Sequence, residues 1–430
     1  GSQGECETPL PPYYRWHIAL LAQALPAIGY RAITVQANPA AFVPTRQKTA
    51  SEIENEVCRL AIDAGTLTLH DKRNGRCITG LFSFEDCADA GDSYDFSPLP
   101  EDEPTRCWHF TLIDCKKHTL IERMELEALL YLPRDLTSRT DNSFIPLTIH
   151  VVCELRQGDP NLYVDISLEN SVCDHRLRLL INSDIRTRTS IASQPFAIVH
   201  RPMGCDDLNW QAHYRERPVD IETSEGIIAI AEPGKALVVN SRGMKEFQVV
   251  GTKQAAIALT LFKSTGVLGR SNLEWRPGRA SGINNTVVET PDAQLLKPLH
   301  FSFSVALADN ADHLTLRQLE NQACGQPFTY QRQSLHTLDN RLERFQLRHP
   351  ERHLPAECSL LSLPEPLILS ALPHARTLSG TIVRVFNAGT QPVPVPENLA
   401  GLLQINYLEE PVAPVTLIAP SCTCDFLLEV

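Results

Sequence analysis

The chain has 430 residues, enough for two or three domains around a sizeable buried core. Apolar residues make up 43% and charged residues 21%, which excludes disorder as the main state. The 39 Lys and Arg against 51 Asp and Glu give a formal charge of -12, which speaks against a nucleic-acid partner, and no apolar run reaches the roughly 18 residues of a membrane span.

The chain opens with Gly1-Ser2, the usual scar of a cleaved tag, and its first methionine is Met124; a fragment of a longer protein is therefore expected. Residues 13–25 (YYRWHIALLAQAL) read as a short amphipathic helix with Trp16, Ile18, Ala19, Leu20 and Leu21 near one face, stopped by Pro26. Residues 30–36 read as a strand and 37–50 as a linker. From 51 to about 310 the pattern is strand after strand: 66–70, 146–155, 162–170, 176–182, 226–231, 236–240, 255–262 and 300–307 all alternate or are β-branched. Gly, Asn, Asp and Pro fill the connectors, as turns require. Strands with no alternating helices predict antiparallel packed sheets, here a large supersandwich over 51–350. Residues 311–350 are charged, and a helix is expected near 335–347. Strands at 367–372, 381–387, 402–408 and 416–420 then predict a small Ig-like sandwich over 351–430, leaving 1–50 as an N-terminal helix, strand and linker.

The thirteen cysteines, odd in number and scattered, favour a reducing compartment, and with no visible signal peptide they predict a cytoplasmic protein. Cys422 and Cys424 form the one close pair and no second pair follows; Pro350 interrupts a regular helix through His349 and His353. No H-E-x-x-H, G-x-S-x-G or P-loop pattern is present, and the sequon at Asn284 means little in a cytosolic chain. No zinc site is expected from these residues.

Two segments are dense in chemistry. FEDCADAGDSYDFSP (84–98) gathers Glu85, Asp86, Asp89, Asp92 and Asp95 with Gly91 and Tyr94. It reads either as a solvated acidic loop or as a polyol-binding loop, in which carboxylates accept from sugar hydroxyls, a ring covers a pyranose face and Gly91 lets the backbone pass close to the ligand. GVLGRSNLEWRPGRASG (266–282) gathers Arg270, Arg276 and Arg279 around Trp275. It reads either as a turn-rich hairpin with exposed arginines or as planar donors for a carboxylate or phosphate.

These segments, with IENEVCRLAIDAGTLTLHDKRNGR (53–76), HRLRLLIN (175–182), PFAIVHRP (195–202), ALVVNSRGMKEFQV (236–249), IALTLFKSTGVLGRSNLEWRPGRASG (257–282) and TPDAQ (290–294), resemble the C-terminal β-region of glycoside hydrolase family 38, the α-mannosidases, and most of all the mannosylglycerate hydrolase branch. TIVRVFN (381–387) and INYLEEP (405–411) resemble that family's small terminal β-domain, and LPAIGYRAITV (25–35) the strand after its helical bundle. The resemblance implies a galactose mutarotase-like supersandwich and a retaining two-carboxylate reaction assisted by zinc. It places the zinc ligands and nucleophile in an upstream barrel and bundle that this chain lacks. The fragment alone is thus expected to be inactive and metal-free, with its own N-terminal catalytic domain and an α-mannoside as partners. By the same match Tyr94, with Asp92 beside it, and Arg270, with Arg276 and Arg279 as alternatives, belong to the rim of the sugar pocket. An anionic aglycone such as glycerate, or a 6-phosphate, suits the arginines. A free-standing sugar-binding module, a mutarotase-like protein, a purely structural β-region and a homo-oligomer stay open.

Overall fold

Alternation builds the first sheet. In Cys58–Asp63 the side chains of Cys58, Leu60 and Ile62 are buried and those between them half-buried; Thr66–Asp71 repeats the period with Leu67, Leu69 and Asp71. Ala64 and Gly65 join the two at φ 44° and 80°, as a tight hairpin turn requires. A Cβ on Gly65 would also lie 2.1 Å from the His109 ring, so a side chain there would be strained by the φ and would have to displace that ring. Glu52–Glu54 and Cys77–Thr79 complete a four-stranded meander.

The computed structural model describes residues 20–22, 25–34, 45–46, 50–139, 141, 143–204, 209–278, 286–325, 329 and 355–429. Two larger antiparallel sheets enclose the main core. One has six strands in the order Ile221–Thr223, Glu246–Val250, Ala256–Ser264, His175–Ile181, Phe82–Ala88 and Thr105–Cys107. The other has ten, in the order Ala197–Pro202, Thr189–Gln194, Ile227–Glu232, Lys235–Asn240, Pro298–Ala308, Leu162–Glu169, Phe144–Arg156, Ile121–Pro133, Thr111–Lys117 and Thr45–Arg46. Leu69, Phe84, Leu130, Ile149, Leu179, Leu259 and Phe303 are among the residues that merge into one apolar cluster shared by the sheets. A smaller antiparallel sheet, Leu367–Ala371, Thr381–Asn387, Thr423–Leu428 and Leu403–Ile405, has its own core of Leu367, Val383, Val385 and Phe426. The all-β supersandwich with a small terminal sandwich is thus the fold observed.

One expectation changes and another is not tested. Residues 20–22 and 25 are the described part of the expected first helix, and none is helical; the helix expected at 335–347 lies outside the described residues. A described helix between the two sandwiches is His313–Cys324, capped by Asp312, whose carboxylate accepts from the Thr315 amide at 2.8 Å. Its Leu316 and Leu319 cover Ile191, Ala229, Val238 and Ala306 on the outer face of the ten-stranded sheet.

At one end of the sandwich a buried polar network ties the sheets together. Asp86 Oδ2 lies 2.5 Å from His175 Nδ1, and Asp86 Oδ1 accepts from Arg139 Nη2 at 2.8 Å. Arg139 also binds Asp102, whose Oδ2 accepts from the Ala88 amide at 2.9 Å. The Asn170 amide donates to the Val172, Gln294 and Leu295 carbonyls, which turns its Oδ1 towards His175 Nε2 at 3.1 Å. Asp86 and His175 are both fully buried. Removing one member strands the other charges in a dry core. Asp86→Ala should therefore cost about 3–5 kcal/mol of stability in urea unfolding; a loss below about 1 kcal/mol would show that the network is dispensable.

Candidate functional site

Strand Phe82–Ala88 leaves the six-stranded sheet beside this network and enters the acidic loop. The loop folds on itself: Asp89 Oδ1 accepts from the amides of Gly91 at 2.9 Å and Ser97 at 3.2 Å. A Cβ at Gly91 would lie 2.0 Å from the Asp95 carbonyl oxygen, so the close approach that needs glycine here is made by the loop's own backbone.

Asp92 is fully buried and joins the two dense segments. Its Oδ1 accepts from the amides of Tyr94 at 3.0 Å and Asp95 at 3.2 Å; its Oδ2 accepts from the Gly269 amide at 3.1 Å and from Arg276 Nη2 at 2.6 Å. Arg276 also pairs with the Asp95 carboxylate and donates to the Arg270 carbonyl at 2.9 Å. The Ser93 amide reaches the Val267 carbonyl at 3.0 Å, adding a backbone link between the segments.

The candidates are therefore placed unequally. The Asp92 and Arg276 charges face each other inside the protein. The Tyr94 ring is 52% exposed, with the Arg276 guanidinium 5.9 Å from its centroid. Arg270 is half-buried, and among the described residues its side chain makes a single hydrogen bond, from Nη1 to the Ala90 carbonyl at 2.8 Å. No other described residue engages the rest of its donor fork. Arg279 lies outside the described residues, as do His349 and His353.

Several groups beneath the loops carry no motif. Arg176 and Lys263 are cross-strand neighbours on the six-stranded sheet. Arg176 donates to Glu246 at 2.7 Å and to Thr260 at 3.1 Å. Its guanidinium carbon lies 4.8 Å from the Phe96 centroid; Phe96 meets Trp275 edge-on at 5.4 Å, and Arg217 covers Trp275 at 4.7 Å. This cation–aromatic ladder joins four segments, one of them the 209–219 stretch that sequence reading passed over. Alternation of Arg176 and Arg178 in HRLRLLI was the available signal that cations line one face of that strand.

The loop shifts two of its acids in opposite directions. Burial pushes the Asp89 carboxyl above the usual 3.8, only partly offset by Lys263 and two amides. Lys263 Nζ stands 3.3 Å from Asp89 Oδ2, which accepts no hydrogen bond among the described residues. Burial also pushes Asp92 up, but Arg276 and the Asp95 and Tyr94 amides outweigh it and hold the carboxyl below 3.8. Among the described residues no group of three or more His, Cys, Asp or Glu is placed to hold a metal ion, and every described cysteine is a free thiol. No described helix is long and apolar enough to cross a membrane.

Residues 53–267 match the model of the glycosyl hydrolases family 38 C-terminal domain. A provisionally named mannosylglycerate hydrolase of Halalkalibacterium halodurans is 24% identical over 266 residues, 56% of this chain and 27% of that protein. An α-mannosidase structure from Enterococcus faecalis superposes with a TM-score of 0.72 at 22% identity, over 92% of this chain and 44% of that one. A second Enterococcus faecalis structure, a protein in glycosyl hydrolase family 38, gives a TM-score of 0.70 at 20% identity, over 92% and 46%. The chain thus spans about a quarter of the curated relative and less than half of either solved one.

A depressed carboxyl contributes stability that is present above its unfolded pKa and lost as pH falls through the folded one. Asp92 should accordingly stay ionised in a carbon-13 carboxyl titration until the pH is below 3.8, while Asp89 keeps its proton above it. Asp92→Asn should cost about 1.5–3 kcal/mol and broaden the Tyr94 resonances as the two segments part. Unchanged Tyr94 signals would show that the clasp does not position that ring.

Proposed function

Because the chain belongs to glycoside hydrolase family 38 and carries its C-terminal domain, we propose that it is the β-region of a retaining α-mannosidase whose substrate is an α-mannoside with an anionic group, such as mannosylglycerate or its 6-phosphate. The observation that carries this reading is the contrast between the two arginines. Arg276 is consumed by Asp92 and Asp95, whereas among the described residues Arg270, at the same junction, has most of its donor fork uncommitted, and the Tyr94 ring is exposed. A planar guanidinium with free donors suits a carboxylate or phosphate, and an exposed aromatic face suits a pyranose.

In this reading Tyr94 and Arg270 contact the sugar and its anionic group, and Arg279 is kept as a further rim cation. Asp92 and Arg276 act by holding them in place. The reading assigns three units, 1–50, 51–350 and 351–430, and a cytoplasmic location. In this reading zinc belongs to the upstream catalytic region; among the described residues no group of three or more His, Cys, Asp or Glu is placed to hold it. When bound there, the metal would engage the sugar hydroxyls. The residues of this chain would orient the substrate and exclude water from one side of the pocket.

In the full-length enzyme, Arg270→Ala should raise KM for an anionic mannoside about 10-fold or more and leave KM for a neutral aryl α-mannoside within about 2-fold. Equal effects on both substrates would remove Arg270 from the anion site. The 430-residue chain alone should release no aglycone from an aryl α-mannoside. Turnover by the purified chain would overturn the division of labour proposed here.

A further inference from the structure

Solvent-facing positions of an antiparallel sheet are ordinarily polar. On the paired strands Ile121–Pro133 and Phe144–Arg156 the outward rows begin with charge. Arg123 opposes Glu154 and forms an ion pair at 2.9 Å; two rows on, Glu127 opposes His150 at 3.1 Å. The next rows change character. Leu129 opposes Thr148, Tyr131 opposes Pro146, and Phe144 follows opposite Pro133. Leu129, Tyr131 and Phe144 are 46%, 58% and 49% exposed. The change falls at the end of the sheet from which Arg134 reaches Cys173 and Arg139 reaches Asp86 and Asp102, the same end that launches the Tyr94 loop. Elsewhere the protein covers an apolar outer face: helix His313–Cys324 lies on Ile191, Ala229, Val238 and Ala306.

We propose that the patch formed by Leu129, Tyr131, Pro146 and Phe144 is the surface on which the upstream part of the full-length protein packs. The inference rests on the reading of this chain as the β-region of a longer enzyme. Its occupant is chosen on length and position. The solved relatives that share this fold are more than twice as long as the part this chain matches, and the patch borders the end at which the proposed rim residues stand. A contiguous apolar patch beside a functional end marks an interface rather than scattered surface apolarity.

Hydroxyl-radical footprinting of the full-length protein and of this chain tests it, with an added tyrosine peptide as reference. Modification of Leu129, Tyr131 and Phe144 should fall several-fold in the full-length protein. Equal modification in both would overturn the proposal. So would protection already present in this chain, whether it fades on dilution, which would mean a second copy, or persists, which would mean cover from the chain itself. A second arm uses the double variant Leu129→Thr, Tyr131→Thr. These solvent-facing changes should leave the melting of this chain unchanged, yet split the single unfolding transition of the full-length protein into two. An unsplit transition would overturn the proposal. Footprinting reads burial rather than turnover, so an inactive full-length protein with a protected patch would refute the mannosidase reading and leave this one standing.

Discussion

The candidate site depends on one buried carboxylate. Asp92 gathers three backbone amides and one guanidinium, from two segments about 175 residues apart, onto two oxygen atoms. No single bond in that set is unusual. Their convergence is what fixes the geometry, because a carboxylate with this many donors has one low-energy orientation and moving any donor leaves the charge undersatisfied in a dry setting. The Tyr94 and Arg270 backbones are both tied directly to this cluster, through the Tyr94 amide and the Arg270 carbonyl.

Sheet register delivers those segments to one another. Ala88, His175 and Ser264 are cross-strand partners, so the loop after Phe82–Ala88 and the loop after Ala256–Ser264 leave the six-stranded sheet at one end. The network of Asp86, His175, Arg139 and Asn170 lies directly under that exit and reaches the Gln294–Leu295 turn as well. Rigidity is therefore passed from core to network to clasp to exposed side chains. A site on loops gains precision in this way only when the loops are cross-linked to each other and to the sheet below.

Period-2 alternation makes many of the longer strands legible, with spans within a few residues of expectation, as with Phe144–Arg156 and Pro298–Ala308, while others such as Phe82–Ala88 and Thr111–Lys117 are not picked out. The 13-residue strand Ile121–Pro133 escaped notice because IERMELEALLYLP is built from strong helix formers, and only pairing on both sides makes it a strand. Helix His313–Cys324 carries its own signal in the Asp312 cap followed by Leu316 and Leu319, outweighed in the sequence by the charge density further along. At the site, composition flagged the acidic and the arginine-rich segments but not their relation. Nothing local in GDSYDFSP says that Asp92 is spent on Arg276 rather than offered to a ligand; that information lies 184 residues away.

The same logic explains why residue type alone is a poor guide to which cation meets a ligand. Arg276 brings its charge close to Asp92 and Asp95 and is stabilised by them, so offering it to an external anion would mean breaking a buried pair. Among the described residues Arg270 is anchored through one nitrogen to a neutral carbonyl, which holds the guanidinium without neutralising it. A fixed cation with its charge unspent binds an anion at little cost in ordering and none in pair-breaking. Sequence places both arginines in one short segment; only the partners they find in the fold separate the residue that shapes the site from the residue that can serve it.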